Sequence, residues 1–190
     1  MLEDTGHLTG KWDYQSLPSN VVVGQDCYLE RSDAFARYRS TREPGLKLGD
    51  RVRVYTWTGF SIEPGGYVEV GDDSTLVGAR FMCEEQIVVG RRVLISYNVM
   101  IADSDFHPLD PELRRQDARA NAPSGAVEQR PPLLSKPVLV EDDVMIGVSA
   151  IILKGVRIRR GAKVLAGSVV TSDVEQGTVV AGNPARLVDG

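Results

Sequence analysis

The sequence predicts an all-β solenoid interrupted by one long loop, and three observations predict it. The chain has 190 residues, 25 of them valine, while aromatic residues make up only 6%. Branched aliphatic side chains favour strands because they pack well on pleated surfaces. A six-residue repeat runs through the C-terminal part of the chain, and a proline-rich stretch interrupts the same register. A period of six matches neither a helix nor a long strand, and it indicates short strands separated by regular turns.

The repeat is most regular between Val140 and Val174. Branched aliphatic residues recur every six positions, at Val140, Ile146, Ile152, Ile158, Val164 and Val170. An apolar or small residue follows each of them by four positions, at Val144, Ala150, Val156, Ala162, Ser168 and Val174. We expect both rows to point inward, in coils that are stabilised mainly by their neighbours.

The register continues less regularly towards the N-terminus. It predicts inward sets at Val23, Leu29 and Phe35, at Leu48, Val54 and Phe60, at Val70, Leu76 and Met82, and at Val89, Ile95 and Ile101. Extra residues between these sets are predicted to form corner loops. The predicted organisation is an N-terminal segment at 1–20, a single β-helix domain at 21–176 with an extended loop at 104–137, and a C-terminal tail at 177–190. An ordinary β-sandwich is the alternative, but a sandwich does not hold a constant six-residue phase.

Composition excludes several classes of function. A net charge of -4 argues against a broad nucleic-acid surface, and the apolar runs are too short for a membrane span. Residues 1–20 lack the pattern of a secretory signal, so we expect a cytoplasmic protein. Cys27 and Cys83 lack the paired spacing of a thiolate zinc site, which also suggests a reducing compartment. With only His7 and His107 present, a three-histidine metal site within one chain is excluded and no metal is expected.

Two C-terminal motifs carry a resemblance to a known family. The segment GSVVTSDV at 167–174 and the segment AGNPAR at 181–186 resemble the C-terminal signature of the hexapeptide-repeat acyltransferases, and the likeness covers about residues 21–187. The resemblance implies a left-handed parallel β-helix of triangular section, acetyl-CoA or another acyl-CoA as donor, a small-molecule acceptor and a homotrimer. It is strongest for the sugar O-acetyltransferase branch that includes maltose and galactoside acetyltransferases. Their N-terminal helical segment is not evident here, so the acceptor is not carried over.

The interruption at 104–137 contains the candidate general base. This stretch holds six of the ten prolines, it is expected to project from one corner as an arm, and its segment LRRQDARAN predicts a short helix. His107 lies near its root, in Asp105-Phe106-His107-Pro108. An imidazole can remove the proton of an acceptor hydroxyl at neutral pH. The alternative is a solvated loop histidine, and the resemblance favours catalysis because related enzymes carry their catalytic histidine in this excursion.

Several polar residues are candidates for the acceptor pocket. A general base needs a group that orients it, and the candidates are Asp105, Asp103, Glu84 and Glu85. The resemblance assigns Glu84 to the acceptor, and Asn98 and Asp105 are predicted to contact it as well. Asn98 is equally explained as a corner residue in left-handed conformation. We interpret Asp103 and Glu85 as exposed surface carboxylates.

Cys83 is a candidate for a second mechanism. A thiol near the acceptor cleft can in principle carry an acyl group covalently. No histidine or basic residue neighbours Cys83 in sequence to lower its pKa, and direct transfer needs no such intermediate. Cys27 is interpreted as a core residue.

The resemblance also implies a donor groove along the C-terminal coils. The residues predicted to bind CoA are Met145, Gly147, Val148, Ala166, Gly167, Thr171 and Arg186. A guanidinium such as that of Arg186 pairs well with phosphate. Two positions depart from the family, because Ser172 stands where lysine is common and Met145 where tryptophan is common. These departures keep a catalytically silent scaffold open. N-acylation of an amino sugar, free or linked to a nucleotide, is the other alternative, because that acceptor would need the same base.

Overall fold

The computed structural model describes residues 17–188, which wind into a parallel β-helix. His7 and most of the predicted segment 1–20 lie outside the described residues. Every strand is short, with two to four residues, because each coil turns a corner after every inward aliphatic position. The predicted all-β fold class, a parallel β-helix with one long loop, is confirmed.

Three sheets form the sides of the solenoid within the described residues. The first sheet contains, in spatial order, β1 (Val21–Val23), β3 (Leu46–Leu48), β6 (Tyr67–Val70), β9 (Gln86–Val89), β12 (Val138–Val140) and β15 (Arg157–Ile158). The second contains β2 (Tyr28–Leu29), β4 (Arg53–Val54), β7 (Thr75–Leu76), β10 (Leu94–Ile95), β13 (Met145–Ile146), β16 (Lys163–Val164), β18 (Val179–Gly182) and β19 (Ala185–Val188). The third contains β5 (Gly59–Ile62), β8 (Arg80–Cys83), β11 (Met100–Ala102), β14 (Ile151–Ile152) and β17 (Val169–Val170).

The six-residue period is the spacing from one sheet to the next. Both predicted rows between Val140 and Val174 are buried, with relative exposures of 3% or less. Equivalent inward residues stack on one another across coils, so that Val140 pairs with Val89 on one side and with Ile158 on the other. The predicted inward rows of the C-terminal coils are therefore confirmed.

One predicted inward residue is wrong. The structure pairs Phe60 with Phe81, and Phe81 is fully buried whereas Met82 faces outward. The corner before β8 has three residues, 77–79, whereas the equivalent corner before β11 has four, 96–99. The missing corner residue shifts the inward position by one, and the left-handed conformation of Gly78, with a φ of +64°, is shared by Asn98 in the longer corner.

The long loop leaves the solenoid after β11 and returns at β12. It contains an α-helix, α1 (Pro111–Ala120), where the sequence predicts a short helix, and a 3₁₀ turn at Val127–Gln129. Asp110 caps α1 by accepting hydrogen bonds from two backbone N–H groups, and proline occupies the first turn. A bridge between Ser104 and Ser135 ties the two ends of the loop together, so that the loop forms an arm with a closed root.

The chain ends on the second sheet. β18 pairs with β16 in parallel, and β19 folds back on β18 as the antiparallel strand of a hairpin. Residues 179–188, which the sequence analysis assigns to a C-terminal tail, thus extend the second sheet. The predicted bounds of the domain stay a prediction. No helix in the described part of the chain is long and apolar enough to cross a membrane.

Candidate active site

A cavity of about 280 Å³ lies where the arm meets the corner between the third and first sheets. Successive coils contribute Glu63 after β5 and Glu84 after β8, and the arm contributes His107 and Asp117. The cavity therefore brings the predicted base and one predicted acceptor contact together.

His107 is held by a carboxylate that sequence reasoning missed. Nδ1 of His107 lies 2.6 Å from Oδ2 of Asp117. The imidazole is 65% exposed whereas the Asp117 side chain is 1% exposed, because it lies on the buried face of α1. A carboxylate at Nδ1 keeps the proton on that nitrogen and leaves Nε2 as the acceptor nitrogen of the neutral ring. The arrangement suits a general base.

Arg130 and Asn121 hold the other oxygen of Asp117. Nε of Arg130 lies 2.8 Å and Nδ2 of Asn121 lies 3.0 Å from Oδ1. Burial by itself would raise the pKa of Asp117, but the hydrogen bonds from His107 and Arg130 outweigh it and hold the pKa below its usual range. Asp117 is therefore a carboxylate at neutral pH, with a hydrogen-bond donor at each oxygen.

The arm root fixes the backbone beside the histidine. Phe106 has a φ of +63°, which is unusual for an aromatic residue. Its carbonyl accepts a hydrogen bond from Arg130 at 3.3 Å, and the N–H of His107 donates to the carbonyl of Asp105 at 2.7 Å. The carboxylate of Asp105 forms an ion pair with Lys154 on the coil below. Asp105 therefore anchors the arm and is not among the residues that line the cavity, and its contact with the acceptor stays a prediction.

The interpretation of Asp103 as an exposed carboxylate is wrong. Asp103 is fully buried and accepts hydrogen bonds from the backbone N–H groups of Glu84, Glu85 and Gln86 at 2.7–2.8 Å. A buried charge requires such partners because it has lost its hydration. Asp103 thereby fixes the turn that presents Glu84 to the cavity. Glu85 is exposed and accepts from the hydroxyl of Ser135.

Glu84 lies in an unfavourable electrostatic environment. Burial and the neighbouring charge of Glu63 raise its pKa, although Arg130, whose Nη1 lies 3.4 Å from Oε1, acts in the opposite direction. The charged form of Glu84 therefore lowers the stability of the fold. Perturbed pKa values of this kind are typical of functional residues.

Glu84→Gln is expected to raise the melting temperature at pH 7 by roughly 2 °C. The folded-state pKa of Glu84 lies above its unfolded value, so the charged form costs stability above that range, and glutamine removes the cost. The gain should disappear as the pH falls towards the ordinary pKa of glutamate. Scanning calorimetry from pH 4 to pH 8 measures it, with Glu85→Gln as the neighbouring control. An unchanged or lower melting temperature at pH 7 would contradict the raised pKa of Glu84.

The structure places Cys83, the candidate for covalent transfer, and Asn98, a predicted acceptor contact, in different surroundings. Cys83 borders the cavity, but burial and the charge of Asp103 raise the pKa of its thiol, which opposes formation of a thiolate. Asn98 adopts a φ of +56° at the corner between the second and third sheets, and its amide lies 3.2 Å from the Ser149 hydroxyl. Asn98 is a corner residue that does not line this cavity, and its contact with an acceptor stays a prediction.

The residues predicted to bind CoA fall into two groups. Met145, Gly147, Val148, Ala166 and Gly167 lie on the second sheet or on the corner between the second and third sheets. Thr171 and Arg186 line a separate cavity of about 500 Å³ at the C-terminal end of the solenoid. Corner geometry already explains both glycines, because Gly167 has a φ of +69° and a Cβ on Gly147 would lie 2.7 Å from the Ala166 nitrogen.

The first group offers free donors and an apolar surface. Among the described residues, the backbone N–H groups of Val148 and Ala166 have no acceptor. The side chains of Met145 and Val148 are 44% and 43% exposed. Free N–H groups beside exposed apolar side chains suit an elongated ligand that carries amide carbonyls.

The residues that hold His107 could be found only in part from the sequence. Asp110-Pro111 is a recognisable helix start, and it places Asp117 two turns into the helix. Nothing in the sequence indicates that this face of α1 points at His107, or that Arg130 returns from 13 residues further along to the same carboxylate. No group of histidine, cysteine and acidic side chains suited to a metal ion occurs among residues 17–188.

Comparison with known families and sequences gives a partial match. Residues 137–172 match the family model described as the hexapeptide repeat of succinyl-transferase. A curated relative, 2,3,4,5-tetrahydropyridine-2,6-dicarboxylate N-acetyltransferase of Staphylococcus aureus (strain bovine RF122 / ET3-1), is 55% identical over 65 residues. That match covers 34% of this chain and only 26% of the relative's length.

Comparison with solved structures extends over more of the chain. A hexapeptide-repeat acetyltransferase of Vibrio cholerae in complex with acetyl-CoA is similar at a TM-score of 0.59 and 28% identity, over 76% of this chain and 70% of that one. AntD, an N-acyltransferase of Bacillus cereus, has a TM-score of 0.63 at 18% identity, over 88% and 83%. A maltose O-acetyltransferase of Clostridium difficile 630 has a TM-score of 0.51 at 22% identity, over 96% and 69%. The last two likenesses concern the fold alone.

Proposed function

We propose that this chain is an acyl-CoA-dependent O-acyltransferase that moves an acetyl group to a hydroxyl of a sugar or sugar-like acceptor, with His107 as general base. The observation that carries the proposal is the 2.6 Å contact between His107 and the buried Asp117 in a cavity that Glu84 also lines. The match to the hexapeptide-repeat model and the acetyltransferase fold neighbours support the coarser assignment, a hexapeptide-repeat acyltransferase.

The proposed reaction is a direct transfer. Nε2 of His107 takes the proton of the acceptor hydroxyl while the oxygen attacks the thioester carbonyl carbon. Asp117 stabilises the imidazolium that forms. The tetrahedral intermediate, whose oxyanion a backbone N–H would hold, then collapses with cleavage of the C–S bond. The CoA sulfur leaves and takes the proton back from His107, so the histidine returns to its neutral form.

The proposed donor is acetyl-CoA. The free N–H groups of Val148 and Ala166 are suited to the carbonyls of the pantetheine arm. Thr171 and Arg186, which border one cavity, are suited to the phosphates of the nucleotide end. The Vibrio cholerae neighbour, described in complex with acetyl-CoA, supports this choice.

The separation of these groups supports a homotrimer. His107 stands at the corner between the third and first sheets, whereas Val148 stands at the corner between the second and third. The width of the third sheet, roughly 15 Å at an extended rise of about 3.3 Å per residue, lies between the two corners. A second copy that presents its Val148 corner to His107 would bring donor and base together. We therefore propose that the active site is shared between subunits.

An amine nitrogen is the second candidate for the atom that accepts the acyl group. The paired carboxylates Glu63 and Glu84 at the cavity are also suited to an ammonium group, which favours N-acylation of an amino sugar. Relatives described as N-acetyltransferase and N-acyltransferase are compatible with this chemistry, so membership of the maltose and galactoside branch stays a proposal. A pH–rate profile with matched hydroxyl and amine acceptors separates the two, because an amine must lose its proton before it attacks.

The proposed compartment is the cytoplasm. Cys27 and Cys83 are both thiols in the structure, and both are buried. Reduced thiols are compatible with a reducing compartment.

Calorimetric titration with acetyl-CoA tests the donor assignment. We expect one saturable site per chain with micromolar affinity. Arg186→Ala should weaken binding about tenfold through loss of a charge-assisted contact with phosphate. Arg31→Ala is the matched control, because Arg31 is an exposed arginine of the first coil that pairs with Asp33.

The outcomes of the titration separate the remaining hypotheses. A folded wild-type protein that binds no acetyl-CoA would overturn the enzyme assignment and favour a silent scaffold. Binding that is unaffected by Arg186→Ala would support acetyl-CoA as the donor but contradict the proposed contact between Arg186 and the CoA phosphates.

A further inference from the structure

The cavity that holds His107 is lined by three arginines, and two of them are neutralised by carboxylates. Arg130 is 14% exposed and lies within 4 Å of Asp117, Glu84 and Glu63. Arg39 lies 3.4 Å from Glu63. These two guanidinium groups are therefore occupied in maintaining the cavity wall.

Arg37 differs from both. It lines the same cavity and is exposed, yet among the described residues it has neither a carboxylate within 4 Å nor a hydrogen-bond partner. Its backbone is held in place because the preceding 3₁₀ turn, Ser32–Phe35, packs the Phe35 ring 5.6 Å from the ring of Phe60. Arg37 is thus an unpaired cation at the cavity, on a backbone that the packing of Phe35 holds in place.

We propose that Arg37 binds an anionic group, a carboxylate or a phosphate, on the acceptor. This inference rests on the proposed function and names the class of acceptor. A guanidinium forms bidentate hydrogen bonds with either group, and the two neutralised arginines are not available for the same purpose. A free cation at the mouth of the cavity also attracts an anionic molecule before it docks.

The position of Arg37 sets a length for the acceptor. Tyr38 pairs with Ile62, Ile62 pairs with Cys83, and the arm leaves one coil further along. Three strand spacings of about 4.8 Å therefore separate the backbone of Arg37 from the arm root, roughly 14 Å along the axis. Since the arginine side chain reaches part of that distance, the anionic group is expected roughly 10 Å from the hydroxyl that reacts at His107.

The test follows the guanidinium Nε–H group of Arg37 by ¹H–¹⁵N NMR of the full chain. Spectra of Arg37→Ala and of Arg80→Ala assign the two signals by their loss. Arg80 then reports non-specific anion effects, because it is exposed and lies outside the cavity, and it has no ion-pair partner among the described residues. Inorganic phosphate and succinate are titrated separately at constant ionic strength, with CoA present so that a donor phosphate site is already filled. The pair glucose and glucose 6-phosphate is compared in the same way.

We expect the Arg37 signal to shift saturably, with an affinity at least about tenfold higher than any effect at Arg80. Glucose 6-phosphate should shift it and glucose should not, and the relative response to phosphate and succinate identifies which anion the subsite prefers. An Arg37 signal that stays unmoved, or that moves only as Arg80 does, overturns the proposal. Failure of the proposed function is seen separately, as absence of acetyl-CoA binding in calorimetry.

Discussion

Replacing His107 with alanine is expected to lower acyl transfer from acetyl-CoA by about 10²–10⁴-fold, the usual contribution of a positioned general base. The affinity for acetyl-CoA should change less than twofold, because the groups proposed to hold the donor are the N–H groups of Val148 and Ala166 and the side chains of Thr171 and Arg186, and His107 is not one of them. Release of CoA thiol in the presence of a hydroxyl acceptor measures the first quantity, and calorimetry measures the second. The fold should persist, since the imidazole is 65% exposed.

His7→Ala is the matched control for this variant, because His7 is the other histidine of the chain. It should transfer at the wild-type rate. A His107→Ala protein that transfers at the wild-type rate would remove the proposed mechanism. A His107→Ala protein that also fails to bind acetyl-CoA would instead place His107 in the donor site.

The coils could be predicted because their physical cause is local. Each inward residue is followed by a corner after a fixed number of positions, so Val140, Ile146 and Ile152 mark consecutive sheets in the sequence itself. The one error among the inward residues, Met82 in place of Phe81, arose where a corner is one residue shorter. The number of residues in a corner depends on the conformation of its turn, and the six-residue repeat of inward residues does not specify that number.

The active site could be predicted only in part because its contacts are not local. His107 was found because histidine is scarce and lies at the root of the arm. Asp117 was missed because its role depends on how the arm folds back, and Asp103 was misjudged because its burial depends on the turn of a neighbouring coil. A carboxylate in a polar stretch looks the same in sequence whether it faces water or a buried set of N–H groups.

Asp117 is the positioning residue whose replacement should have the second largest effect. Asp117→Asn removes the negative charge that stabilises the imidazolium and replaces the obligate acceptor at Nδ1 with a side chain that also donates. We expect kcat to fall about 10²-fold with little change in KM for acetyl-CoA. The acid limb of the pH–rate profile should move to lower pH, because the imidazolium loses its ion-pair partner.

The same variant should also change the pH dependence of the melting temperature. The folded-state pKa of Asp117 lies below its unfolded value, so the carboxylate stabilises the fold above the ordinary pKa of aspartate and ceases to do so as the pH falls through the folded value. Asp117→Asn should therefore melt at a lower temperature than wild type at pH 7, and the difference should narrow in acid.

Asp110→Asn on the same helix separates positioning from a general effect of changes in the arm. Asp110 caps α1 through its side-chain oxygen, and asparagine caps a helix about as well. This control should keep the wild-type rate, pH profile and melting temperature. If Asp117→Asn lowers the melting temperature but leaves kcat and the pH profile unchanged, Asp117 supports the arm and does not act through His107. A fall in kcat with a shifted acid limb is the result that only a partner of the base would give.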